Sequence, residues 1–263
     1  MHLGVPAVTA GNARGRQIWA SVKPVPPDPI LGLVAKYKAD PNPAAVNLAQ
    51  GAYRDGNGKP FVLPSVVKAE GRVVRELAEG RFNKEYLGSE GNPEFLAASV
   101  KFAFGNDSNA LKENRVAAIQ SLSGTGALRL AAETLARVAG VNTIYVSDPS
   151  WGNHAKVFEA AGLQVKYYTY LDKKTGTTLD FQGLLSHLSS PDIPEGSVVL
   201  LHCSAHNPTG VDPSEEQWGA IADVFAKRKL VPLFDSAYQV TCSSRAHAAR
   251  HVHVLHLHAW APE

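Results

Sequence analysis

From residue 64 onward, apolar and polar positions fall into alternating short blocks. Pro64 opens a stretch with Val66, Val67, Val73, Val74 and Leu77 on helical spacing, and Gly80 stops it. Asn92-Pro93 reads as a cap followed by a first-turn proline, the start of another helix. Strand-like and helix-like blocks then alternate. Val116–Leu122 is strand-like and 126–139 helical. Residues 143–146 are strand-like and 153–161 helical. Residues 165–170 form a tyrosine-rich strand, and Val198–His202 has the unbroken apolar character of a buried strand. Asp212-Pro213-Ser214-Glu215 predicts a helix start, with Asp212 as cap and Trp218, Ile221, Ala222, Val224 and Phe225 as the inner stripe. Lys227, Arg228 and Lys229 complement that helix's C-terminal dipole, and Val231–Phe234 is the next strand. This order predicts an α/β fold, a mostly parallel sheet covered by helices on both faces. Ligands of such sheets sit at the carboxyl ends of the strands.

The first 60 residues break the pattern. Residues 24–60 carry Pro24, Pro26, Pro27, Pro29, Pro41, Pro43, Gly51, Gly56 and Gly58, which predicts an extended arm with turns. Residues 1–23 hold Arg14, Arg16 and Lys23 and no acidic residue. Such a leader is either transit-like, pointing to a mitochondrion or plastid, or a disordered start; the compartment stays open between these and the cytoplasm. The expected organisation is a leader over 1–23, an arm over 24–60, a ligand-binding α/β domain over 61–239 and a divergent tail over 240–263.

Composition narrows the class only modestly. The 263 residues are 44% hydrophobic and 19% charged with a net charge of +2, ordinary for a globular domain and no argument for nucleic acid or membranes. Two cysteines, Cys203 and Cys242, make no disulfide framework and point to a reducing compartment. No apolar run reaches the ~20 residues of a membrane-spanning helix.

Candidate chemistry lies where strands end. Ser123-Gly124-Thr125-Gly126 joins a strand to a helix; small residues and free N–H groups at a helix start suit a phosphate, although a ligand-free turn has the same sequence. Asp235 ends a strand and either faces a ligand, such as a pyridine nitrogen, or caps a helix after it. Tyr238 offers a hydroxyl donor or ordinary packing. Asn207, in the turn His206-Asn207-Pro208-Thr209-Gly210, either donates to a ligand oxygen or closes a local Asx turn. Trp151, after Asp148-Pro149-Ser150, either stacks on a flat ring or belongs to the core.

Taken together and in this order, SLSGTGALRLAAE (121–133), SDPSWGNH (147–154), AHNPTGVDP (205–213) and FDSAYQ (234–239) resemble class I aminotransferases of fold type I. Within that class PPDPILG (26–32), VNLAQGAYRD (46–55) and EYLG (85–88) are similar to aspartate aminotransferases. The resemblance runs from about Pro26 to Gln239. It implies a PLP-dependent transferase large domain, pyridoxal 5'-phosphate as cofactor, amino transfer between L-aspartate and 2-oxoglutarate, and a homodimer or pairing with a full-length subunit. Ser123, Gly124 and Thr125 then correspond to the phosphate loop and Trp151 to the residue stacked on the coenzyme ring. Asn207 and Tyr238 correspond to donors to its phenolate oxygen, and Asp235 to the partner of its pyridinium nitrogen. His154 corresponds to the group supporting that aspartate; otherwise it is a surface histidine on a helical turn. Gly51, with Trp151 and Asn207, corresponds to the substrate side, and Tyr86 to the tyrosine that reaches the neighbouring subunit's coenzyme phosphate.

After Gln239 the resemblance stops. The family continues with a glycine-rich turn, two strands and a serine three residues before the lysine that bonds the coenzyme. Here the last lysine is Lys229, and residues 240–263 contain five of the ten histidines. No catalytic residue is therefore assigned, and the resemblance implies that this chain is truncated, inactive alone and incomplete in its sheet, with the small C-terminal domain absent. Its substrate-selecting arginines would also be absent, so a fragment of another class I aminotransferase, such as an aromatic one, remains an alternative. Read as a metal site, His251 and His253 would share one face of a strand and His256 and His258 the other. The spacing matches no zinc signature, and no metal is expected.

Overall fold

The computed structural model describes residues 20–23, 29–49 and 51–238. The leader and the histidine-rich tail lie almost entirely outside these residues. The chain divides into two units, residues 1–83 and 84–263.

The first unit holds α1 (Pro29–Ala39) and α2 (Pro64–Ala78). Helix α1 lies within the stretch expected to be an extended arm. Pro29 sits at its first position, where a missing N–H costs nothing, and 30–39 contain no further proline. Helix α2 forms where the apolar spacing predicts, with Pro64 in its first turn, but it buries no residue. Val66, Val67, Val73, Val74 and Leu77 are all exposed.

The second unit contains α3 (Pro93–Phe104), α4 (Asn109–Lys112), α5 (Ser123–Glu133), β1 (Thr143–Asp148), α6 (Gly152–Ala160), β2 (Gln164–Thr169), α7 (Phe181–Ser189), β3 (Val198–His202), α8 (Glu215–Arg228) and β4 (Val231–Asp235). Asn92 caps α3 through its side chain, as its sequence predicts. The four strands form one parallel sheet in the order β2-β1-β3-β4.

Side chains alternate across the sheet, and each parity meets its own helices. Ile144, Val146, Val198 and Leu200 pack with Leu128 and Ala132 of α5 and Phe158 of α6. Tyr145, Val199 and Leu201 pack on the opposite face with Leu184 and Leu188 of α7 and Trp218, Ile221 and Phe225 of α8. This double coverage is what a parallel sheet requires.

Three local expectations are corrected. Val116–Leu122 is not a strand. An apolar groove of ≈ 340 Å³ is lined by Ile119 and Ser121 together with Leu233 of β4, so this segment finds no ladder partner among the described residues. The cap of α8 is Ser214, not Asp212. Ser214 and Gln217 form a reciprocal capping box, while the Asp212 carboxylate accepts from the backbone N–H groups of Ala205 and His206. Helix α5 begins at Ser123 rather than Gly126 and runs on into a π-helical turn, Thr134–Val138.

Candidate functional site at the carboxyl edge of the sheet

Strands β3 and β4 run in register, His202 beside Asp235, so their carboxyl ends share one edge. Trp151 follows β1, Asn207 follows β3, and Tyr238 follows β4. Helix α5 leads through its π-turn back to the start of β1, which puts its N-terminus at the same edge. The parallel topology thus brings Ser123–Thr125, Trp151, Asn207, Asp235 and Tyr238 to one rim.

The start of α5 has the features of an anion cradle. Its N-cap residue, Leu122, is apolar and makes no side-chain capping bond, and no other described side chain caps it. Ser123 has a φ of 64°, the left-handed region that costs a non-glycine residue about 1–2 kcal/mol. The Ser121 hydroxyl donates to the Ser123 carbonyl at 3.2 Å and helps hold that turn. No atom stands within 4 Å of where a Cβ on Gly124 would lie, so the space in front of this turn is open.

Asp235 has the parity of Val231 and Leu233, and so it faces the side of the sheet carrying α6. There the His154 ring meets it, Nε2 to Oδ2 at 2.9 Å. His154 is fully buried, which excludes the reading as a surface histidine. The other oxygen of Asp235 takes no hydrogen bond among the described residues, and no helix follows it there for the carboxylate to cap. The Trp151 ring stands edge-on to His154, centroids 5.3 Å apart at 87°. It is half-buried against the α5–α6 face of the core, so it contributes to packing while leaving part of its surface open. Among the described residues the side chain of Asn207 forms no Asx-turn bond; its backbone N–H donates to His202 Nδ1 at 3.2 Å. Tyr238 is half-buried. Tyr86 is fully exposed and Gly51 is exposed, the latter in the first unit.

The sequence reading missed the polar layer behind this rim. His202 ends β3 and stacks on His206, centroids 4.1 Å apart; His206 in turn stacks on Tyr170 at 3.9 Å. Ser150 Oγ lies 2.8 Å from His154 Nδ1 and 3.3 Å from His202 Nε2. His206 reaches Ser147 Oγ at 2.9 Å and Thr209 Oγ1 at 2.8 Å. Burial pushes His202 down to about 3, helped by His206 and His154, and pushes His206 down to about 4. Burial likewise raises the Tyr168 and Tyr170 phenols well above their usual range. One signal for this layer was present: His202 closes a strand whose every other residue is apolar, a place where an unpartnered imidazole would be costly.

Comparison with known proteins agrees with this architecture. The family model "Aminotransferase class I and II" matches residues 43–259. The chain is 50% identical over 222 residues to the cytoplasmic aspartate aminotransferase of Oryza sativa, aligning 84% of this chain with 53% of the relative. It is 46% identical over 235 residues to the mitochondrial aspartate aminotransferase of Xenopus tropicalis, 89% of this chain with 53% of the relative. The chain therefore spans about half the length of these curated relatives. Among solved structures, the aromatic-amino-acid aminotransferase of Burkholderia pseudomallei, covalently bound to pyridoxal phosphate, superposes with a TM-score of 0.82 at 37% identity. That match covers 91% of this chain and 58% of the other. With a parallel sheet, strand-end motifs in family order and a family match over most of its length, the chain belongs to the aminotransferase class I and II family.

Proposed function

We propose that this chain carries the coenzyme cradle of an aspartate aminotransferase, built to hold pyridoxal 5'-phosphate at the carboxyl edge of its sheet. The observation that carries the reading is the His154–Asp235 pair, a buried imidazole fixing one carboxylate oxygen while the other is left without a partner among the described residues. The residues present fit the group. The uncapped start of α5, with open space before Gly124, offers free N–H groups and the positive end of the helix dipole to a phosphate. Asp235 accepts from a protonated pyridine nitrogen, and His154 holds the carboxylate in place. Asn207 and Tyr238 are the donors for the phenolate oxygen, and the open surface of Trp151 covers one ring face. When bound, the coenzyme supplies an electron sink for amino-group chemistry.

The substrates of this reading are L-aspartate and 2-oxoglutarate. The 263 residues hold no lysine after Lys229, so in this reading a polypeptide of this sequence holds the coenzyme at this edge without the family's covalent bond and does not turn over. A transamination assay on the purified 263-residue polypeptide tests this, with pyridoxamine 5'-phosphate binding measured alongside. Binding without turnover is expected; no binding rejects the cradle, and turnover rejects the role assigned to the lysine.

A second reading, pairing with a longer family subunit, is favoured by the exposed stripe of α2 and the full exposure of Tyr86. Such pairing lends Tyr86 and the arm, with Gly51, to a neighbour. Co-expression with a complete aspartate aminotransferase then lowers its specific activity; unchanged activity with no co-purification rejects pairing.

A further inference from the structure

We propose that Gln120 is a positioning residue: it fastens the turn at 88–91, and with it Tyr86, to the segment that enters the phosphate cradle, so that anion binding at Ser123-Gly124-Thr125 and the placement of Tyr86 are coupled. This coupling rests on the cradle reading. In a pair of subunits it links one chain's occupied cradle to the tyrosine which that chain lends its neighbour.

The cradle turn takes its support from upstream. Helix α5 is anchored in the core by Leu128 and Ala132, whereas none of residues 123–126 is buried. The segment 116–122 leads into that turn. It joins no strand ladder among the described residues, and its Ile119 is largely exposed. Gln120 fastens it at two points. The Gln120 N–H donates to the Glu90 carbonyl at 2.7 Å, and Gln120 Oε1 accepts from the Asn92 N–H at 2.9 Å. Two bonds of opposite sense fix orientation as well as distance, which one bond cannot do. From Gln120 to the cradle the path is short: the Ser121 hydroxyl donates to the Ser123 carbonyl, and Ser123 opens α5.

The facing turn is shaped to receive this side chain. Gly88 and Gly91 form an isolated bridge, closed by the Gly91 N–H donating to the Gly88 carbonyl at 3.0 Å. Gly91 has a φ of 103°, which other residues rarely adopt, and a Cβ on it would overlap the Gln120 Cβ and Oε1. Glycine is therefore required twice, for the backbone and for the contact. Asn92, just beyond the turn, caps α3 by accepting from the Phe95 N–H at 2.9 Å, which gives the turn a helical base. Tyr86 is fully exposed, so no side-chain contact holds it and its position follows the backbone of this turn. An anion that orders the cradle orders Gln120, and Gln120 orders the turn. By linkage the ordered turn returns the same factor to anion affinity.

The test is amide hydrogen exchange on the 263-residue polypeptide with and without saturating pyridoxamine 5'-phosphate, alongside calorimetric affinity for that ligand. The Asn92 amide reports the clasp, and in the wild type it should exchange more slowly once ligand is bound. Gln120→Met keeps the length of the side chain and removes its acceptor. It should speed Asn92 exchange by about three- to tenfold, the range for one lost hydrogen bond. It should also abolish the ligand's effect at Asn92 and lower affinity by up to the factor by which ligand slows this amide in the wild type. Gln120→Glu retains an acceptor and should keep the slow Asn92 amide. Gly91→Ala displaces Gln120 from the opposite side and should weaken the ligand, with circular dichroism checking the fold. Ligand binding that leaves wild-type Asn92 exchange unchanged overturns the coupling, as does wild-type affinity in Gln120→Met. Equal Asn92 exchange in the wild type and Gln120→Met rejects the clasp, whether or not ligand binds. An Asn92 amide that responds to Gln120→Met in a chain that binds no pyridoxamine 5'-phosphate rejects the cradle reading, and the coupling with it.

Discussion

Acidification from pH 7 to pH 5 should destabilise the folded chain through His202 and His206, and the size of the effect is set by their surroundings. Both rings are neutral in the fold, held down to about 3 and about 4 chiefly by burial. In the unfolded chain each returns to about 6.5 and takes up a proton that the folded protein refuses. Their contribution is therefore fully present above about pH 6.5 and is lost as pH falls toward the folded values. At pH 5 the loss is about 2 kcal/mol for each histidine, about 4 kcal/mol together, a large part of the ~5–15 kcal/mol of an ordinary domain. Urea unfolding at the two pH values, followed by tryptophan fluorescence and circular dichroism, measures it. The control is His202→Phe, which removes one of the two titrating rings and retains a stacked aromatic. This variant starts lower at pH 7, because the Asn207 N–H loses its acceptor, but its further loss on acidification should shrink by about 2 kcal/mol. Other titrating groups act alike in both proteins and cancel. An equal loss in the two proteins refutes the reasoning.

Three further outcomes are expected. Phe158→Ala, which empties a fully buried position between α6 and the sheet, should cost about 3–5 kcal/mol by urea unfolding; a cost below about 1 kcal/mol would mean the α5–α6 face is not the packed core described. Asp235→Ala removes a charged acceptor and should weaken pyridoxamine 5'-phosphate by about ten- to a hundredfold in calorimetry, with unchanged affinity counting against its role. The exposed stripe of α2 should make the purified chain self-associate, and Val73→Asp with Val74→Asp should shift light-scattering mass toward the monomer; a monomeric, cooperatively unfolding wild type contradicts that expectation.

The parallel α/β core was legible because period and burial agree there. Val198–Leu201 alternates between two helix layers, and Trp218, Ile221 and Phe225 mark one of them at helical spacing. Segments whose outcome depends on distant partners were not legible. Val116–Leu122 has strand character but joins no strand ladder among the described residues, its Gln120 N–H donating instead to the Glu90 carbonyl at 2.7 Å, and α2 has the strongest apolar spacing in its unit yet buries nothing. The cap of α8 went to Ser214 because the Asp212 carboxylate was claimed by two backbone N–H groups of the preceding loop, a tertiary contact that no local pattern reveals. The placement of the candidate site residues along one rim could be read, because their motifs stand at strand ends. The histidine layer beneath them could not, because its links join residues as far apart in sequence as Ser150 and His202, or His154 and Asp235.

The central claim is that this edge of the sheet holds a pyridoxal-type coenzyme, and equilibrium binding of pyridoxamine 5'-phosphate to the 263-residue polypeptide tests it most directly. The amine form is the right probe, because the aldehyde reacts with surface lysines anywhere on the chain. Saturable one-to-one binding, weakened by Asp235→Ala and competed by inorganic phosphate at high concentration, is the predicted result. Binding that is absent, or indifferent to Asp235, would contradict the account.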